Sequence, residues 1–342
     1  MTPSTPEFVF AASHEQFTPS QLLQQAIAAD AAGFDGIGCS DHFAPWWPEG
    51  ESGQAWAWLG AAGQATSSRR LGTGVTALVH RYHPAVVAQT FMTLEDLFPG
   101  RVFLGVGSGE ALNEIPCGAD WPSPAEQIER MDQALDVIRR LWAGERVTAD
   151  HGWFAVRDAK LYSRADRRPD LYVSAFGPQA AEISGRHGDG LWTLGDPDRV
   201  PEILAAHRES AQRHGRDPGK LILQGLIAYA RDETALLDGS RGWRGPQPPE
   251  VYRDAVGTPE EIQAVAAPQI GDDDLREKLI LSTDPTVHVE RVLQLVELGA
   301  DIVCLQNVAG ADPLGTIELY GDEVLPAVRR AIAQGEVGQL SR

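Results

Sequence analysis

Four short stretches carry residues whose types suit proton chemistry. Ser13-His14-Glu15, Ser40-Asp41-His42, Thr76 and Gly107-Ser108-Gly109-Glu110 each close a run of apolar or β-branched residues, and Asn113 follows Glu110 by three positions. An imidazole titrates near neutrality and can take a proton from a hydroxyl, which makes His42, directly after Asp41, the sharpest single candidate. A carboxyl such as Glu110 or Glu15 can deliver a proton if desolvation raises its affinity for one. Trp46-Trp47 and Trp56 and Trp58 lie just downstream, and aromatic side chains wall apolar pockets. Ordinary packing beneath a loop accounts equally well for at least two of these indoles, and a favourable place at a helix start accounts for Glu110.

Two familiar chemistries fit poorly. Gly105-Val106-Gly107-Ser108-Gly109-Glu110 has the outline of a dinucleotide-binding turn, but Glu110 stands where the third glycine belongs and its carboxylate would face a pyrophosphate. His80 and His83 are three apart, yet Pro84 breaks the helix that would aim both at one ion, so no metal is expected. Gly177-Pro178-Gln179-Ala180 opens a helix, and the free N–H groups of a helix start suit an anionic group.

The elements that must position these residues alternate along the chain. Eight short runs, Glu7–Ser13, Phe34–Asp41, Leu71–Leu78, Val102–Ser108, Asp170–Phe176, Gly190–Leu194, Leu221–Ala230 and Ala300–Ala309, are separated by longer helical patterns. Val102–Val106 and Leu221–Leu223 are nearly continuous apolar runs, as parallel strands covered on both faces require. Thr18-Pro19-Ser20-Gln21 and Ser123-Pro124-Ala125-Glu126 read as capped helix starts, with Gly33 and Gly144 as the stops. Eight strand–helix units predict a (β/α)8 TIM barrel, whose working residues sit at the C-terminal ends of the strands. We read residues 1–342 as one domain, with insertions at about 43–55, 109–123, 147–162 (a hairpin around Asp150-His151-Gly152) and 232–282.

Composition narrows the partners. Forty-eight acidic against 29 basic side chains give a formal charge of −19, which repels phosphate backbones and anionic membranes, so neither nucleic acid nor a membrane is expected. The start of the chain lacks a basic and apolar leader, and Cys39, Cys117 and Cys304 form no paired framework, which predicts a cytoplasmic protein with small buried thiols.

His14-Glu15-Gln16-Phe17, Ser40-Asp41-His42-Phe43-Ala44-Pro45-Trp46, Arg81-Tyr82-His83-Pro84-Ala85-Val86-Val87-Ala88-Gln89 and Gly107-Ser108-Gly109-Glu110-Ala111-Leu112-Asn113-Glu114 together resemble the luciferase-like monooxygenase superfamily. Within it, the chain resembles the branch of F420-dependent glucose-6-phosphate dehydrogenases and related F420-dependent oxidoreductases. The resemblance implies a deazaflavin at the mouth of the barrel, lying on a bulge of the third strand at Gly74-Val75, often with a cis peptide there. It implies His42 as the base for a substrate hydroxyl, Trp46 as cover over the reacting pair, and Glu110, with Glu15, as proton donor to the reduced ring. It places Asp41, Gly74, Val75, Ala77, Ser108, Asn113 and the turn Gly177, Pro178, Gln179 and Ala180 against the cofactor.

The departures from that branch bear on substrate and cofactor. A lysine that holds the sugar phosphate is replaced after the sixth strand by Gly195-Asp196-Pro197-Asp198, and Lys278 is the remaining candidate for substrate contact. An aspartate there would repel a phosphate, so the expected substrate is an alcohol or aldehyde other than glucose 6-phosphate. Ser108 and Phe176 stand where threonine and glycine are common, which keeps FMN as the alternative cofactor and a non-catalytic flavin-binding barrel as a third reading. Arg81 and Arg186 are the expected cations for an acidic cofactor tail. A homodimer is expected through Pro84–Leu97, where Val86, Val87, Phe91 and Leu94 are apolar.

Overall fold

A computed structural model describes residues 5–163, 165–266 and 269–336. Residues 1–4, 164, 267, 268 and 337–342, which fall within the single-domain reading and, at 267 and 268, within the 232–282 insertion, lie outside the described residues.

The eight expected strands form, as β1 (Glu7–Ala12), β2 (Gly36–Cys39), β3 (Arg70–Ala77), β4 (Val102–Gly107), β5 (Asp170–Ser174), β6 (Gly190–Leu194), β7 (Lys220–Tyr229) and β8 (Ile302–Asn307). All pair in parallel with their neighbours, β8 with β1 and β6 with β7, so the sheet closes on itself. This is the (β/α)8 barrel with helices outside. A further strand, Ile280–Ser282, adds in parallel to the upper half of β7, with Ile280 opposite Ile227. Three residues are too few to show a period, so the sequence did not mark it.

Helix-start chemistry explains the outer ring. Thr18 caps α1 (Pro19–Ala31) with a reciprocal bond to Gln21, and Gly33 takes the left-handed turn (φ 85°) that ends it. Ser123 caps the helix Pro124–Trp142, but only one half of its expected box forms, because the Glu126 carboxylate bonds Arg130 instead. Met131, Leu135, Ile138 and Trp142 on that helix are buried. The hairpin is present as Val147–Asp150 paired antiparallel with Ala155–Ala159.

Val9, Ala11, Phe103, Tyr172, Trp192, Ile222, Ile302 and Cys304 fill the barrel interior. At the N-terminal end Arg70 joins Glu7 (2.7 Å) and Asp170 (2.7 Å), and Lys220 joins Glu7 (2.7 Å), so ion pairs gather where the strands begin. The polar ends listed from the sequence are at the opposite rim. Over that rim, the 232–282 segment folds as short helices whose Leu236, Trp243, Val251, Ile262 and Leu275 make a second core with Trp46 and Leu112.

Two expectations are corrected. Cys39 and Cys304 are buried, but Cys117 is exposed, because it ends a short turn that stands away from the barrel wall. Of the four apolar residues on Pro84–Leu97, Val87, Phe91 and Leu94 pack inward and only Val86 is exposed, since a helix over a barrel spends one face on the core. Among the described residues no helix is long and apolar enough to cross a membrane.

Candidate active site

β1, β2, β3 and β4 deliver the expected side chains to one rim. Ser13, His14 and Glu15 follow β1, Ser40, Asp41 and His42 follow β2, and Ser108 to Asn113 follow β4. Strand β3 slips register between Thr73 and Thr76, and the Gly74–Val75 peptide is cis. Position 74 has to be glycine, because a Cβ there would lie 2.5 Å from the Trp192 ring. At 107 an added Cβ would come within 2.9 Å of a Val75 methyl, which would have to shift.

His42 sits at the centre. Its Nε2 lies 3.3 Å from Glu15 Oε1, and Glu15 Oε2 accepts the Ser40 hydroxyl at 2.5 Å. Its Nδ1 lies 3.3 Å from Asn113 Nδ2 and 3.2 Å from the Ala44 carbonyl. Asn113 Oδ1 accepts from the N–H groups of Phe43 (2.8 Å) and Ala44 (3.3 Å), which fixes the carboxamide and turns Nδ2 toward His42 and toward Glu110 Oε2 (3.0 Å). With Nδ2 donating to Nδ1, the neutral ring carries its proton on Nε2, facing Glu15. A second proton, on Nδ1, has the Ala44 carbonyl as its acceptor. The ring is arranged to gain and lose a proton with a partner in both states.

Aromatic rings surround this group. Trp46 is buried and meets His42 edge to face at 4.8 Å, and Tyr252, from the 232–282 segment, meets Trp46 at 6.0 Å. Trp56 stacks on Tyr82 at 4.0 Å and donates to Thr76. Trp58 packs on His14 and Trp47 on Trp243, so two of the four indoles are packing residues. His14 is held neutral by burial, its Nδ1 on the Gly53 carbonyl, and its buried Nε2 has no partner among the described residues.

Asp41 is engaged inside the protein. Thr76 donates to one of its oxygens (2.7 Å), and Tyr82 (3.1 Å) and Arg81 (3.3 Å) bond the other. Arg81 also reaches the buried Glu114, whose carboxylate accepts the Arg81 backbone N–H at 2.6 Å. Burial pushes Glu114 up from 4.5 to about 7, against the opposing pull of Arg81, with the charges of Glu110 and Asp41 adding to the rise. Glu114 and Tyr252 are site residues that the sequence reading did not single out. Glu114 lies inside the matched motif, but its burial is a property of packing; Tyr252 lies in a segment with no periodic signal.

Other expected residues fall in different places. Ala77 is buried beside Gly109, and Ser108 is half-buried with a hydroxyl that bonds no described residue. Gly177 to Ala180 begin the helix Pro178–His187 at the surface, and a Cβ added to Gly177 would meet nothing within 4 Å. Beside that turn, Arg199 donates to the Phe176 carbonyl (2.6 Å). Arg186 is bound to Asp132 in the last turn of the same helix, away from the rim, so it cannot serve there. Lys278 is exposed, and among the described residues it forms no hydrogen bond or ion pair with the His42 group. His80 bonds the Cys117 carbonyl and His83 that of Ala155, so the two imidazoles diverge.

Comparison with known proteins fits this geometry. The family model for luciferase-like monooxygenases matches residues 4–301. The chain belongs to the luciferase-like monooxygenase family. Within that family it is 36% identical to an F420-dependent glucose-6-phosphate dehydrogenase of Microbacterium testaceum, over 95% of this chain and 98% of the relative. It is 38% identical to an F420-dependent hydroxymycolic acid dehydrogenase of Mycobacterium tuberculosis, over 93% of this chain and 87% of the relative. A solved structure of an F420-dependent secondary alcohol dehydrogenase in complex with an F420-acetone adduct superposes with a TM-score of 0.90 at 34% identity, covering 95% of this chain and all of that one.

Proposed function

We propose that this luciferase-like protein is an F420-dependent oxidoreductase that moves a hydride between the deazaflavin and a carbon bearing oxygen, with an alcohol, aldehyde or ketone other than glucose 6-phosphate as substrate. The observation that carries the reading is the joining of His42, Glu15, Asn113 and Glu110 in one hydrogen-bonded group under Trp46. Relatives that share 34–38% of the sequence and are named for F420 support that cofactor. The solved structures named with FMN or modified FMN share 16–17% identity and bear on the fold alone.

The residues present fit such a cofactor. Ser108 offers a hydroxyl without a described partner, and the turn at Gly177, Pro178, Gln179 and Ala180 faces open space with first-turn N–H groups free for an anionic tail. Gly74, Val75, Ala77 and Asn113, with Asp41 bracing Thr76 beneath, make the floor on which a flat ring would rest. When bound, F420 would supply the hydride acceptor. On this reading His42 takes up the substrate hydroxyl proton, and Glu15, 3.3 Å from its Nε2, balances the charge of the imidazolium. Glu110 has one oxygen bonded to Asn113 and keeps the other to hold a proton for the ring side of the pocket.

A phosphate is poorly served. Asp196 and Asp198 stand after β6, and Lys278 is exposed without a tie to the site. We also propose a cytoplasmic homodimer, to which Val86 and Leu97 offer exposed apolar surface. Titration of the purified protein with oxidised and reduced F420 tests the reading. Binding of either, followed by F420 reduction with a secondary alcohol, is expected; the absence of binding by both overturns it.

A further inference from the structure

The 232–282 segment brings one side chain to the site that the proton chemistry above does not use. Tyr252 lies between Trp46 and Phe176, its ring 6.0 Å from the first and 6.1 Å from the second, each edge to face. With His42 beneath Trp46 at 4.8 Å, four rings from three separate segments form one row from the helix start at Gly177 to the imidazole. Phe176 is 46% exposed, so the row is open at that end. The side chain of Tyr252 is part-buried, and its hydroxyl bonds no described residue. Burial, and then the charges of Glu110 and Glu15, raise its pKa, so the hydroxyl stays protonated and lies within the field of those two carboxylates.

A phenol that is drawn into an apolar row, keeps its proton and has no partner among the described residues is a hydrogen bond left for a ligand. The arginines of the same segment are paired, Arg241 with Asp238, Arg244 with Asp272, Arg253 with Glu250 and Arg276 with Glu233, and Lys278 is exposed with no described bond to the His42 group. What this wall offers a substrate is aromatic surface and one neutral donor.

We propose that Tyr252 is a substrate-positioning and specificity-determining residue, its ring closing an apolar wall with Trp46 and Phe176 and its hydroxyl donating to an oxygen of the substrate. The site then takes alcohols or carbonyl compounds with an apolar arm, which lies along the rings while the oxygen is held near His42. This rests on the oxidoreductase reading above. Removal of the hydroxyl alone costs one hydrogen bond, about tenfold in binding, and removal of the ring costs the apolar contact as well.

The test has two arms, so that each reading can fail by itself. In the first, acetophenone and glucose 6-phosphate are titrated against the cofactor-free protein by saturation-transfer NMR, using the wild type, Tyr252→Phe and Tyr252→Ala. Acetophenone is expected to bind the wild type in preference to glucose 6-phosphate, about tenfold more weakly to Tyr252→Phe, and more weakly again to Tyr252→Ala. In the second, 1-phenylethanol is oxidised with F420; KM should rise in the same order, with kcat for Tyr252→Phe within twofold and the affinity for F420 unchanged. If Tyr252→Phe matches the wild type in the binding arm, the proposal is overturned. If F420 does not bind the wild type, the oxidoreductase reading fails, while the acetophenone arm still decides the role of Tyr252.

Discussion

Glu114 should make the protein less stable as the pH rises from about 4.5 to about 7. Its side chain is fully buried, and burial lifts its proton loss from about 4.5 in an unfolded chain to about 7 in the fold. The sign follows from linkage: above 4.5 the unfolded state gives up the proton and the folded state still holds it, so the unfolded state gains relative to the folded one until the pH passes 7. At about 1.4 kcal/mol per tenfold change, the carboxyl costs the fold about 2.5 kcal/mol more at pH 8.5 than at pH 5. Replacement by glutamine keeps an oxygen for the Arg81 backbone N–H and removes the ionisation. The difference in stability between Glu114→Gln and the wild type should therefore grow by about 2.5 kcal/mol in favour of the variant across that range. At about 2 °C per kcal/mol for a chain of this size, thermal melts followed by circular dichroism should show a gap some 5 °C larger at pH 8.5. A gap that does not change with pH, or that shrinks, would refute the reasoning. It would mean that Arg81 holds Glu114 ionised, as an ordinary buried ion pair.

Three further outcomes follow from the site. Asn113→Asp replaces the donor that faces His42 Nδ1 and Glu110 with an acceptor; kcat should fall by about 100-fold, and the pH–rate profile should shift while F420 still binds. Gly177→Ala adds a methyl where nothing lies within 4 Å, so the thermal midpoint should stay within about 2 °C while the Kd for F420 rises, by about tenfold if the tail sits on that turn. Arg199, exposed beside the same turn, is a cation within reach of an anionic tail. Arg199→Gln should weaken F420 binding by about threefold at low salt and leave it nearly unchanged at 0.5 M salt, as fluorescence titrations can measure.

The strands and the rim were legible because both are written in local pattern. Continuous apolar runs end in polar residues at each of β1, β2 and β4, and a parallel barrel must present those ends together. The bulge at Gly74-Val75 came from matched residues rather than from period, whereas His42 stood out by its residue type at the end of the second strand before any resemblance was drawn. What was not legible depends on chain segments that meet only in the fold. Tyr252 belongs to a stretch of short helices with no repeating face, and nothing in its neighbours says that it ends beside Trp46. Arg81 was expected at the acidic tail, but it is pinned between Asp41 and Glu114, which the sequence shows only as charges 40 and 33 positions away. The helix Pro84–Leu97 showed apolar residues without showing which side they take, and the barrel claims most of them.

The acidity that first set this chain apart has a local counterpart. Glu15, Asp41, Glu110 and Glu114 gather around one imidazole and one arginine. Such a group would repel an anionic substrate, and it would be costly if all four carboxylates were ionised. The structure divides the work among them. Asp41 is committed to Thr76, Tyr82 and Arg81, so it braces the third strand. Glu114 is pushed toward its neutral form, which leaves Arg81 to Asp41 and lowers the charge beneath the ring site. Glu15 and Glu110 each accept from a neutral donor, Ser40 and Asn113, and the second oxygen of Glu15 lies 3.3 Å from His42 Nε2. On the proposed function, Asp41 and Glu114 serve the scaffold, and Glu15 and Glu110 serve proton transfer. On the same proposal, a hydride donor or acceptor placed among them would have its charge balanced by protons from Glu15 and Glu110, on either side of His42, rather than by a cation of the protein.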